Sequence, residues 1–306
     1  MRYPARLRKF TLVWFLFTLT AGGLPASALA QDQQAPPSYP PAELDRMVSR
    51  IALYPDSLVA QILAAATFPD QIPDAANWAD QHHYLRGDEL AQAITADNLP
   101  WDPSVQALLP FPSVLGMMAS DMDWTSALGN AFLAQQQDVM DAVQRMRREA
   151  YNYGYLRSNA QVEVTAGPYI TIVPVNPYFV PVPVYDPGVV YAAPRPGFFM
   201  GGAIRFGFGI SLGLAFRPWG WGTTHFVWGS HAVFISGARW NRTWVNRRTY
   251  VHPYAYHRVT GPRPAEHHEL IPRDQQERNA AREGRPRPAE HREQHHQEHH
   301  ESEHHH

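Results

Sequence analysis

IALYPDSLVAQILAAATFP, residues 51–69, is the stretch that decides how the N-terminal half folds. Pro55-Asp56 suits a helix start, because proline has no N–H to waste in the first turn and an acid there meets the positive end of the dipole. Leu58, Val59, Ile62, Leu63 and Ala66 then recur at helical spacing, and Pro69 stops the run. Upstream, Leu44, Met47, Val48 and Ile51 fall at i, i+3, i+4 and i+7 of a preceding helix. Downstream, a third helix is expected from Pro73 to about Tyr84, and Asp88 is a candidate N-cap for residues 89–97. Pro103 and Pro112 each sit where a first turn would begin. A long helix is then expected from Asp123 to Arg157, with Trp124, Leu128, Phe132, Val139, Val143 and Met146 on its apolar side. Arg145, Arg147 and Arg148 near its end suit the helix dipole.

After Tyr155 the period changes. QVEVT (161–165), YITIVPV (169–175) and YFVPVPVYDP (178–187) mix β-formers with proline, which removes ladder donors and so favours edge or extended segments. RFGFGISLGLAF (205–216) alternates bulky residues with Gly207, Gly209, Ser211, Gly213 and Ala215. That is period 2: a strand with one bulky face and one bare face that could admit a close neighbour. A second reading treats 197–216 as a membrane-associated helix with a Gly209/Gly213 small-residue pair, against which Arg205 counts by about 2.5–3.5 kcal/mol on insertion scales. Further short strands are expected at HAVFIS (231–236) and RTWVNRRTYV (242–251).

The expected fold class is therefore α+β. A polar linker (31–41) leads into an all-α helical domain (42–157). A Pro-rich extended connector (160–196) and a Gly/aromatic-rich β region (197–255) follow. The Pro, Arg, Glu, His and Gln composition of 261–306 has almost no apolar residue to offset chain entropy, so a disordered tail is expected there.

The N-terminus bears on location. Arg2, Arg6, Arg8 and Lys9 precede an apolar run from Phe10 to Leu19, and Ala28-Leu29-Ala30 ends the segment. Basic start, short apolar core and small-x-small site predict a cleavable signal peptide over 1–30 and a periplasmic or cell-envelope protein. The apolar run is about half of the roughly 20 residues a membrane span needs. Cleavage would remove four positive charges and take the net charge from −2 to −6. That balance argues against nonspecific nucleic-acid binding. With no cysteine, neither a disulfide nor a lipid-modified cysteine is expected.

The helical strings IALYPDSLVAQILAAATFP (51–69), WDPSVQALLPFPSVLGMM (101–118) and DWTSALGNAFLAQQQDVMDAVQRMR (123–147) resemble a bacterial family known as domain of unknown function 3300. PYFVPVPVYDPGVVY (177–191) resembles that family's tyrosine- and valine-rich stretch after the helices. The resemblance covers about residues 44–191. It implies an exported envelope protein, and it carries no assigned activity or catalytic residues.

No nucleophile elbow, phosphate-cradling loop or H-E-x-x-H helix is present, so a non-enzymatic protein is expected. Asp56, Asp70 and Asp102 each adjoin a proline at a helix boundary, where capping accounts for them, and His82-His83 lies at a helix end. Distinct chemistry is confined to EHREQHHQEHHESEHHH (290–306). There His291, His295, His296, His299, His300 and His304 form i, i+4 pairs if helical, a candidate site for Zn, Cu or Ni, although no cofactor is required by any motif. The leading expectation is interaction or scaffolding with an envelope protein or surface, because exposed tyrosine, tryptophan and free strand edges are common binding material. Metal binding or buffering by the tail is the alternative.

Overall fold

The computed structural model describes residues 35–194, 202–207 and 209–251. Within them, helices come first and short strands second. The helices are α1 (Pro41–Val48), α2 (Asp56–Ala66), α3 (Ile72–Gln81), α4 (Gly87–Ala96), α5 (Pro103–Gln106), α6 (Pro112–Ser120), α7 (Met122–Ala134) and α8 (Gln136–Asn152). The strands are β1 (Val162–Ala166), β2 (Ile170–Pro174), β3 (Phe179–Val180) and β4 (Pro183–Tyr185), then, after a short α9 (Pro187–Val190), β5 (Ile204–Phe206), β6 (Ile210–Ser211), β7 (His225–Val227), β8 (Ala232–Ile235) and β9 (Ala238–Arg239).

α2 is the centre of the packing. Every residue from Leu58 to Ala66 is buried, as expected of a helix apolar on all sides. α7, α5, β7 and β8 all pack against it. The α7 approach depends on Gly129: a Cβ there would sit 1.9 Å from the Ala66 carbonyl oxygen. α1 lies on α7 and α8, and α3 on α6.

The long helix expected over 123–157 is two helices. The break is at Gln135 (φ −138°, ψ 49°), which leaves the helical region. Its side-chain amide accepts from the Tyr39 N–H at 2.7 Å and donates to the Tyr39 carbonyl at 3.3 Å, tying the lead-in segment to the corner. The corner lets α8 fold back along α1. Asp88 lies in the first turn of α4, whose N-cap is Arg86. Asp102 does cap: its carboxylate accepts from the Ser104 N–H at 2.9 Å.

β1 and β2 form an antiparallel hairpin from Val162↔Pro174 to Ala166↔Ile170. The stretch 205–216 is not one strand. β3–β6 and β4–β5 are two separate two-stranded antiparallel pairings between the same two chain segments, together called the ribbon, with Phe179↔Ser211 and Val180↔Ile210 in one and Pro183↔Phe206 to Tyr185↔Ile204 in the other. The register differs by one residue between the two pairings. The bare face does admit a close neighbour. A Cβ on Gly209 would stand 2.9 Å from the Cβ of Phe179. β7, β8 and β9 form a three-stranded antiparallel sheet. The 242–251 segment contains no strand. Its backbone is engaged elsewhere: the Trp244 N–H donates to the Leu133 carbonyl at the end of α7, and the Asn246 side chain accepts from the Thr243 N–H.

Packing crosses the compositional boundaries read from the sequence. Trp219, Trp221, Trp228 and Trp240 are buried in the same hydrophobic core as α1–α8. Their indole N–H groups reach helix partners where described: Trp219 to Gln106 Oε1 (3.0 Å), Trp221 to the Ala107 carbonyl (3.0 Å) and Trp228 to Asp56 Oδ2 (3.1 Å). Tryptophan buries well only when that N–H is satisfied. A second core cluster seats Val162, Ile170 and Ile172 of the hairpin on Leu53, Ala150 and Leu156.

Candidate functional site

Among the described residues, Arg147, on α8, is a charged group buried completely within the fold. Its neighbours on the buried stripe are Met140, Val143 and Ala150, at i−7, i−4 and i+3. Nε donates to the Ala52 carbonyl (2.7 Å), Nη2 to the Tyr54 carbonyl (3.0 Å), and Nη1 to the Ile170 carbonyl (2.9 Å) and to Asp56 Oδ1 (2.5 Å). The Trp228 ring covers the guanidinium at 5.1 Å. A buried charge is tolerable only when paired and hydrogen-bonded, and this one is both.

Asp56 therefore does not cap α2, whose N-cap is Pro55. Its carboxylate binds Arg147, accepts from the Ile172 N–H (3.2 Å) and accepts from the Trp228 indole. One acid thus joins α2, α8, β2 and the 3₁₀ turn at Trp228. The dipole reading of the α8 arginines also fails. None lies in the last turn of α8. Arg145 pairs with Asp45 at 2.7 Å, and Arg148 donates to the Gly167 and Pro168 carbonyls.

The hairpin edges are not free. On the outer side of β2, Ile170 exchanges bonds in both directions with the Gln144 amide, and Asp56 takes the Ile172 N–H. On the outer side of β1, Asn159 and Ser158 accept from the N–H groups of Val162 and Val164. Side chains satisfy what a partner strand would otherwise take, so edge pairing is blocked.

A tyrosine cluster lies nearby. The Tyr185 and Tyr191 hydroxyls both donate to the Ser49 carbonyl, at 2.8 and 3.0 Å, and the Tyr54 ring meets Tyr185 edge-on. Burial pushes the Tyr54 hydroxyl up to about 12, and raises Tyr185 and Tyr191 well above their ordinary value. These phenols are hydrogen-bond donors across the working pH range.

An open groove of about 600 Å³ runs along α8, lined by Asp141, Gln144, Arg148, Glu149, Tyr153 and Tyr169 among others. Three of its charged groups already serve structure: Asp141 accepts from His231 at 2.8 Å, Arg145 pairs with Asp45, and Arg148 is held by carbonyls. His82 stacks on Trp78 and its ring nitrogen meets the Trp78 carbonyl, at the end of α3. Among the described residues no group of three or more His, Cys, Asp or Glu could hold a metal. The candidate ligands His291, His295, His296, His299, His300 and His304 lie outside the described residues. Among the described residues no helix is long and apolar enough to cross a membrane, and Ile204–Phe206 and Ile210–Ser211 of the 197–216 segment are strands.

The remaining feature is apolar and exposed. The tryptophans expected on the surface are inside, but Val173, Val175, Tyr178, Phe179 and Val184 are 44–59% exposed along the hairpin and ribbon. Leu214, just past the ribbon, is 60% exposed.

The family model described as "Protein of unknown function (DUF3300)" matches residues 40–267, which takes in every helix and strand above. The chain belongs to the DUF3300 family. This DUF3300 chain is 34% identical over 224 residues to "Uncharacterized protein YacH" of Escherichia coli (strain K12), an alignment covering 58% of this chain and 36% of that protein. It thus spans little more than a third of the length of the curated relative it matches. No solved structure matches it.

The buried Arg147–Asp56 centre is the feature that sequence reasoning missed. The signal was available: an arginine in register with Met140, Val143 and Ala150 on an apolar stripe.

Proposed function

We propose that this DUF3300 protein is exported and works in the cell envelope by non-catalytic contact with a partner surface. The observation that carries the reading is the set of exposed apolar side chains Val173, Val175, Tyr178, Phe179 and Val184. Val173, Phe179 and Val184 lie in the hairpin and ribbon pairings, and the Val175 N–H and Tyr178 carbonyl are bonded to Gln161 and Leu212. Singly scattered apolar residues need no explanation, but a set of this kind on one hydrogen-bonded segment marks a contact site. The secretion-type segment over 1–30 supports the location. Cell fractionation, with a photocrosslinker at Tyr178, tests both parts. The expected result is envelope recovery and a crosslink that Phe179→Asp removes. Cytoplasmic recovery would sink the location, and a crosslink unchanged by Phe179→Asp would sink the contact site.

The second reading, metal buffering by the tail, rests on the i, i+4 histidines of 290–306. It predicts calorimetric Zn, Cu or Ni binding that disappears with 290–306. Binding should also weaken below about pH 6.5, since only neutral imidazole ligates. Binding that survives the truncation would rule the tail out as the site.

A further inference from the structure

The charge of this chain is divided along its length. Residues 41–157 hold fifteen acids against seven arginines. No Asp or Glu occurs between Asp186 and Glu266, a stretch that holds nine arginines. A whole-chain net charge of −2 conceals an acidic helical part and a basic aromatic part. Such asymmetry points to an anionic surface as partner.

The basic part meets the exposed apolar set at the ribbon. Arg205 on β5 stands directly opposite Val184 on β4, and both are exposed. The ribbon pairing continues to Tyr178, whose carbonyl accepts from the Leu212 N–H. Just beyond it Leu214 is 60% exposed, and the exposed Arg217 closes a turn back onto the Leu214 carbonyl. The carboxylate nearest in sequence, Asp186, is engaged by the Gly188 N–H at the α9 end of the ribbon.

We propose that this ribbon, through Phe179, Val184 and Leu214 with Arg205 and Arg217, docks on the anionic phospholipid headgroup surface of a membrane. The proposal names the partner of the contact site proposed above and rests on that reading. Apolar and aromatic side chains enter the boundary between headgroups and acyl chains, while arginine stems lie along them and place guanidinium groups at the phosphates. A nucleic acid would use the arginines but would give Val184 and Leu214 nothing to bury against. A β-ribbon can lie on a bilayer because its backbone bonds are made between its own strands.

The test is co-sedimentation of the full chain with vesicles of equimolar phosphatidylglycerol and phosphatidylcholine, compared with pure phosphatidylcholine. Binding to the anionic vesicles only, weakened by salt, is expected. Arg205→Glu with Arg217→Glu should lower partitioning by about 25-fold or more, at roughly fivefold per arginine near an anionic surface. Phe179→Asp with Leu214→Asp should also abolish it, while Arg46→Glu on α1 should leave it unchanged. Matching melting curves verify that the variants fold. Three outcomes overturn the proposal: equal binding to neutral vesicles, binding indifferent to the Arg205/Arg217 pair, or no vesicle binding with duplex DNA bound instead. Fractionation separates it from the export reading. A cytoplasmic protein that binds vesicles loses only the location, and an envelope protein that ignores them loses only the lipid partner.

Discussion

At the scale of single residues, Arg147 fixes more of the structure than any other polar group described. Its guanidinium reaches three backbone carbonyls and one carboxylate from a fully buried position. Replacing it by methionine roughly keeps the volume but leaves the Asp56 charge unpaired and takes the donor from the Ala52 and Tyr54 carbonyls. The expected loss is about 3–5 kcal/mol in urea denaturation, the usual cost of breaking a buried pair from one side. Asp56→Asn keeps the two bonds to Oδ1 but sets an amide N–H against the Trp228 indole N–H and leaves the buried guanidinium without its counter-charge, so it should cost a comparable amount. If Arg147→Met were no worse than Arg145→Met, whose arginine is surface-exposed and paired with Asp45, the centre would be structurally unimportant. This site was half legible. The sequence places Arg147 on an apolar stripe, but its four acceptors come from segments up to 95 positions away, and no local pattern announces them.

At the scale of elements, helix starts were readable because proline at N1 or N2 is a local signal. Pro41, Pro73, Pro103 and Pro112 all lie in first turns. The Gln135 corner was not, because glutamine breaks a helix there only through a bond to Tyr39, a contact 96 positions away. The ribbon was read in kind and missed in register. Alternation of glycine with bulky residues indicates a strand with a bare face, yet the one-residue slip depends on the partner strand. The α2–α7 crossing gives the sharpest element-scale prediction. Gly129→Ala puts a methyl group 1.9 Å from the Ala66 carbonyl, so the helices must separate. A destabilisation of about 1–3 kcal/mol or more is expected on denaturation, whereas Gly116→Ala on α6, with open space around it, should be neutral or stabilising. Equal effects at the two glycines would contradict the crossing geometry.

At the scale of the whole molecule, the described helices and the aromatic strands share one hydrophobic core. Composition suggests separate regions because the tryptophans that join them sit among glycines and arginines. Only the structure shows their indoles donating to Gln106, Ala107 and Asp56. Two consequences follow for stability. Burial keeps Tyr54, Tyr185 and Tyr191 neutral in the fold above the pH at which they ionise in the unfolded chain. The unfolded state therefore holds fewer protons above about pH 10, and stability is intact below that pH and falls above it. The fall should steepen by about 1.4 kcal/mol per pH unit for each such tyrosine, and Tyr191→Phe should lessen it in alkaline denaturation. Removing residues 197–251 should strip α2 of its cover and abolish cooperative unfolding of the remaining helices.

Native-state hydrogen exchange tests the shared core most directly. The amides of α2 and those of β7–β9 should exchange through the same opening, with the same free energy and the same dependence on denaturant. Exchange of β7–β9 at low free energy, with α2 still fully protected, would contradict a single core and would make the aromatic segment an accessory laid on an independent helical domain.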